Sequence, residues 1–192
     1  MSRRTGRAAV VALTALGLGL TGHRAASAQD DPAPDGVTRA VEAVPEGEPR
    51  YLGVMRRELE ALGVDDLACE AADPQRGNCT YNVRGASSGR TFRVEMIYSD
   101  RTDTVYLYIA RYLSASPEAA DLGRLMQRLM ELNWSLLGGK FEWNPTDGEV
   151  RLSMLLNTDS NFDRRAFRGI VRGLGQVADR YYGQLAELAA GD

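Results

Sequence analysis

The stretch TFRVEMIYSDRTDTVYLYIARY, residues 91–112, alternates apolar and polar residues in two runs separated by a short polar break. Phe92, Val94, Met96 and Tyr98 share one parity in the first run, and Val105, Leu107 and Ile109 share one in the second. A period of two sends alternate side chains to opposite faces of a strand, so each run predicts a half-buried strand. The break at residues 99–103 is short and polar, and so is the one at 85–89, so the strands here pair as antiparallel hairpins. On the second strand Tyr106, Tyr108 and Tyr112 have the opposite parity to Val105, which places them together on the other side of the sheet.

Outward from this hairpin the period changes. Tyr51, Leu52, Met55, Leu59 and Leu62 recur at helical spacing and stop at Gly63. On the other side, Ser116-Pro117-Glu118 combines a capping hydroxyl, a proline suited to the first turn and an acid favoured by the helix dipole. It predicts a helix from there to about Leu137, closed by Gly138-Gly139. Phe141 and Trp143 then lead into a turn cluster at residues 144–148, and Val150, Leu152, Met154 and Leu156 alternate back as a second hairpin. Ser160 with Asp163 is a capping-box-like start for a last helix whose stripe runs through Phe167, Ile170, Val171, Leu174, Val177, Ala178, Tyr181, Leu185 and Leu188. The expected class is α+β: five or six antiparallel strands covered by helices, in the order helix, three or four strands, helix, two strands, helix.

Residues 1–28 have a basic start, an apolar run of thirteen residues and Ala26-Ser27-Ala28, the three parts of a cleaved export signal. The run is too short to span a bilayer, so no stable membrane span is expected after cleavage. Arg3-Arg4 resembles a twin-arginine start, but Gly6 departs from that pattern and general secretion is the expected route. Residues 29–49, acidic with four prolines, read as a disordered linker, and residues 50–190 as the folded domain. The expected location is the periplasm or outside the cell.

The 192 residues carry a formal charge of −3 and a single histidine, His23. Residues 1–28 hold four arginines and no acid, so their loss takes −3 to −7 and removes that histidine. Hydrolases and transition-metal sites that depend on imidazole are disfavoured, and an acidic chain with one lysine argues against nucleic acid as a partner. No phosphate-cradling loop, nucleophile elbow or dinucleotide fingerprint occurs.

The helix end Leu129-Met130-Glu131-Leu132-Asn133-Trp134-Ser135, with Gly139-Lys140-Phe141-Glu142, Asp147-Gly148 and the strand through Leu156, resembles the YbjN family of bacterial sensory-transduction regulators. That fold is similar to the type III secretion chaperones. The resemblance extends over residues 51–188, at the level of motif only over 129–156. It implies a non-enzymatic binding or chaperone-like module without a cofactor, and dimers are frequent among the secretion chaperones. The export signal and the segment carrying Cys69 depart from that pattern.

Cys69 and Cys79 lie in neighbouring segments expected to run antiparallel, and an exported chain meets an oxidising compartment, so a structural disulfide is favoured over a redox-active pair. Asn133 is expected to tie its helix to the following hairpin. Trp134 and Trp143 are expected to pack in the core or on each other, with an exposed patch as the alternative. The row Tyr106, Tyr108, Tyr112 suits a protein or peptide partner on an open sheet face; the alternative is cross-strand packing against Arg93 and Glu95. The acid pairs Asp65-Asp66, Asp100 with Asp103, and Asp159 with Asp163 read as turn and capping acids rather than a calcium loop. Function is thus expected to be binding of an unidentified protein or peptide in the envelope. A structural homodimer is the alternative, followed by a small carboxylate-dependent enzyme using Glu95 and nearby acids.

Overall fold

A computed structural model describes residues 46–158 and 162–191. The expected signal at 1–28, the linker up to residue 45, Asp159 and Ser160 lie outside them. The elements run α1 (Leu52–Leu62), β1 (Asp65–Asp73), β2 (Arg76–Arg84), β3 (Thr91–Ser99), β4 (Thr104–Ser114), α2 (Leu122–Ser135), β5 (Lys140–Trp143), β6 (Glu149–Asn157) and α3 (Arg164–Ala190). The six strands form one antiparallel sheet in the order β1-β2-β3-β4-β6-β5. Sequence order breaks once. After α2 the chain enters at the far edge as β5, and the β5–β6 hairpin returns β6 to pair with β4.

Register aligns the buried parity across the sheet. One row reads Tyr81, Val94, Ile109, Leu152, Phe141, and every member is buried. The opposite parity gives the row Thr80, Glu95, Tyr108, Ser153, Lys140 and, beside it, Ile97, Tyr106, Leu155. Helices cover the first face: Leu52, Met55 and Leu59 of α1, Leu125, Leu129 and Leu132 of α2, and Phe167, Val171 and Leu174 of α3 complete its core. Stacking this many apolar side chains on one sheet face is the dominant favourable term of the fold.

Local chemistry sets the element ends. Gly63 adopts a left-handed φ of 67°, and the Val64 N–H donates back to Leu59 O, closing α1. α2 starts six residues after Ser116, later than its sequence suggests. The Ser116 hydroxyl accepts from Glu118 N–H, two residues ahead, and Ala119 N–H reaches Ser116 O, so the hydroxyl closes an isolated turn instead of capping a helix. α3 is capped by Asp163 itself, whose carboxylate accepts from Arg165 and Ala166 N–H at 2.8 and 2.9 Å. Within α3, Gly173 and Gly175 sit against Met154 and Val83, whereas Gly169 faces open space.

Cys69 lies opposite Cys79 in the β1–β2 register, with Cα atoms 4.1 Å apart and the sulfurs bonded. Glu58, buried on α1, accepts from Arg164 and Arg168 of α3. Two guanidiniums on one buried carboxylate satisfy the charge that burial would otherwise penalise. Among the described residues no helix is long and apolar enough to cross a membrane.

Candidate interaction surfaces

Tyr106 and Tyr108 lie on the sheet face opposite the helices, their rings stacked with centroids 5.2 Å apart. Each hydroxyl donates to a carboxylate: Tyr106 to Glu142 at 2.8 Å and Tyr108 to Glu95. Arg151, paired with Glu149, places its guanidinium 5.1 Å from the Tyr108 ring centre. Partial burial, and then the bond to Glu95, push the Tyr108 phenol up to about 12; Tyr106 is raised by burial foremost. Both phenols therefore stay neutral donors at any physiological pH. Of the two residues expected to pack on this row, Glu95 does so, and Arg151 from β6 takes the place anticipated for Arg93.

Tyr112 does not belong to the row. Between Ile109 and Leu113, β4 spends four residues where β6 spends two, from Leu152 to Val150. This bulge, with Arg111 at a φ of 49°, resets the alternation. Tyr112 turns inward, buried among Phe92, Phe141 and Tyr182, and its hydroxyl donates to Ala178 O at 2.7 Å. Strict period-two counting cannot see a bulge that carries no glycine, which is why the sequence places Tyr112 on the wrong face.

The two tryptophans also part company. Trp143 is half-buried and donates its indole N–H to Ala115 O at 3.1 Å. Trp134 is 93% exposed, and with Met130 at 67% it forms a lane along one flank of α2; Leu137, fully exposed, lies in the connection to β5. A spacing of four brings Met130 and Trp134 to one side of the helix, away from buried Leu125, Leu129 and Leu132, whereas Leu137 follows the extended Leu136 just past the helix end, which comes two residues earlier than the sequence suggests. Gly123 and Gln127 lie on the same flank, and Glu131 borders it, accepting from the Gln127 amide at 3.1 Å. The apolar spacing of α2 mixes two stripes, one for the core and one for the surface, and composition alone does not separate them.

Asn133, on the core-side edge of α2, donates to Phe141 O at 3.0 Å and accepts from Phe141 N–H at 2.8 Å. It clamps the helix end to β5 and fixes the angle at which the lane is presented. Asp66 accepts from the Asn82 amide, and Asp100 from Arg50 N–H and the Tyr98 hydroxyl, so these acids serve turns and strand ends. Among the described residues no cluster of three or more His, Cys, Asp or Glu is arranged to hold a metal ion.

No family model matches the chain, and no curated protein does. Among solved structures it is similar to one described as the crystal structure of the ExsC-ExsE complex, with a TM-score of 0.46 and 11% identity, over 71% of this chain and 93% of that one.

Proposed function

We propose that this chain is an exported, non-catalytic module of the YbjN type that binds a protein or peptide, in a chaperone-like or regulatory role in the cell envelope. The observation that carries this reading is the exposed lane of Met130 and Trp134 on α2, with exposed Leu137 just beyond the helix end. Single exposed apolar residues are ordinary, but contiguous ones mark interaction surfaces, and tryptophan is among the residues most enriched where binding energy concentrates. The Tyr106–Tyr108 pair is a second contact region: rigid rings held by carboxylates lose little freedom on binding. The YbjN assignment rests on the motif over residues 129–156, and export on the pattern of residues 1–28.

Affinity capture tests the reading. The full chain, a Met130→Glu/Leu137→Glu variant and a Tyr108→Ala variant are immobilised in parallel against envelope extract. The reading expects one protein retained by the wild-type chain and lost from the lane variant, with weaker retention by the sheet-face variant. Retention that ignores the lane substitutions would remove its main support.

A homodimer is the second reading, and one observation favours it. Gly123 has open space where a Cβ would stand and shares the flank with Trp134, eleven residues on. Two antiparallel copies of α2 would seat each Trp134 over the Gly123 of the other. Sedimentation equilibrium should then give a dimer that Trp134→Ala dissociates.

A further inference from the structure

The bulge in β4 shapes a groove that the proposed binding surfaces leave unused. About 630 Å³ in volume, it opens between the bulge, the β5–β6 turn and the last turns of α3. Leu113, Tyr182, Ala186 and Ala189 make an apolar wall with room for a small side chain. Arg111, Asp147 and Glu149 stand with them as its charged groups.

The commitments of those groups differ. Glu149 accepts from the Arg111 N–H at 3.0 Å through one oxygen and from the Arg151 guanidinium at 3.1 Å through the other. Asp147 accepts from Glu149 N–H at 3.0 Å. Glu149 is thus neutralised by Arg151 while it holds the bulge, and exposed Asp147 holds the turn through one oxygen. The exposed Arg111 guanidinium has no side-chain partner among the described residues, although its backbone is fixed in the left-handed region by that bond to Glu149. A non-glycine residue held at positive φ persists only where its surroundings over-determine it, and bulges characteristically re-aim one side chain.

We propose that this groove is a carboxylate-binding site, in which Arg111 takes the carboxylate of a ligand whose small apolar group rests on the Ala186–Ala189 wall. The C-terminal residue of a peptide has this chemistry, and so does a free short-chain acid. A guanidinium matches a carboxylate in two parallel hydrogen bonds, which gives direction as well as charge.

The test is a titration of the 15N-labelled full chain, followed by amide shifts, with acetyl-Ala-Leu as free acid, the same dipeptide as its C-terminal amide, and butyrate. Binding of the free-acid dipeptide or of butyrate, with shifts at Arg111, Leu113, Ser114 and Ala189, supports the site; the tighter of the two identifies the source. The amide should bind at least tenfold more weakly. Arg111→Gly accepts the positive φ and so preserves the bulge, yet should lose at least tenfold in affinity for the acid, while Arg111→Lys recovers part of it. Equal binding of acid and amide would overturn the proposal. So would undiminished binding by Arg111→Gly, or no shift at these amides with any of the three; the guanidinium would then serve only the C-terminal carbonyls of α3.

Discussion

A hydroxyl's worth depends on its partner, and two buried tyrosines show the contrast. Tyr81 is buried on β2 with its hydroxyl unpartnered, and burial raises its phenol well above the usual value. Tyr112 is buried on β4 with its hydroxyl on Ala178 O. Tyr81→Phe removes an unsatisfied group and should leave stability unchanged or raise it by up to about 1 kcal/mol, whereas Tyr112→Phe should cost about 1 kcal/mol. Urea unfolding of the two variants checks this, and equal effects would count against it. Asn133 makes two bonds to one backbone unit, so Asn133→Ala strands both Phe141 groups and should cost about 1–3 kcal/mol in the same assay. Its role was readable from sequence because a polar amide in an apolar stripe must find partners. Tyr112 and Trp134 were misplaced for the converse reason: a bulge without glycine and a second apolar stripe leave the local pattern unchanged.

Two fastenings at the scale of elements have distinct signatures. The edge strand β1 is largely exposed and is joined to β2 at Cys69–Cys79. Reduction should lower stability by about 2–3 kcal/mol in the loop-entropy picture, with hydrogen exchange rising first over residues 65–73 and not in β4 or β6. The β2–β3 turn is fastened to α3 by Asp179, which accepts from the Ser87 and Ser88 N–H groups at 2.8 and 2.9 Å and from the Ser88 hydroxyl. A Cβ at Gly85 would run into the Asp179 carboxylate and the Ser88 hydroxyl, so a larger residue there would displace this fastening. Those bonds, the Ser88 hydroxyl foremost, pull the Asp179 carboxyl from 3.8 down to about 2. A depressed folded-state value means that the contribution is complete above the unfolded value and lost as pH falls through the folded one. The melting difference between wild type and Asp179→Asn should therefore be constant above pH ~4 and shrink as pH falls toward ~2. A difference independent of pH over that range would contradict the assignment.

Across the whole molecule, the α+β class and element order were legible because strands with one buried face write a period of two, and helices on a sheet write one of 3.6. The position of β6 between β4 and β5 was not, since no residue pattern records which edge a strand joins. The binding surfaces were legible only in part. The Tyr106–Tyr108 pair followed from parity, but the α2 lane emerged only once the core had claimed Leu125, Leu129 and Leu132 and left Met130, Trp134 and Leu137 outside. That lane is thus the proposed contact surface on which partner binding depends. Its most direct test is a photoreactive residue in place of Trp134 in the full chain, irradiated in envelope extract beside a control at exposed Arg172 on α3. One defined adduct is expected from position 134, a partner protein or a second copy, absent from position 172 and abolished by Met130→Glu. Identical adducts from both positions, or none from 134, would contradict it.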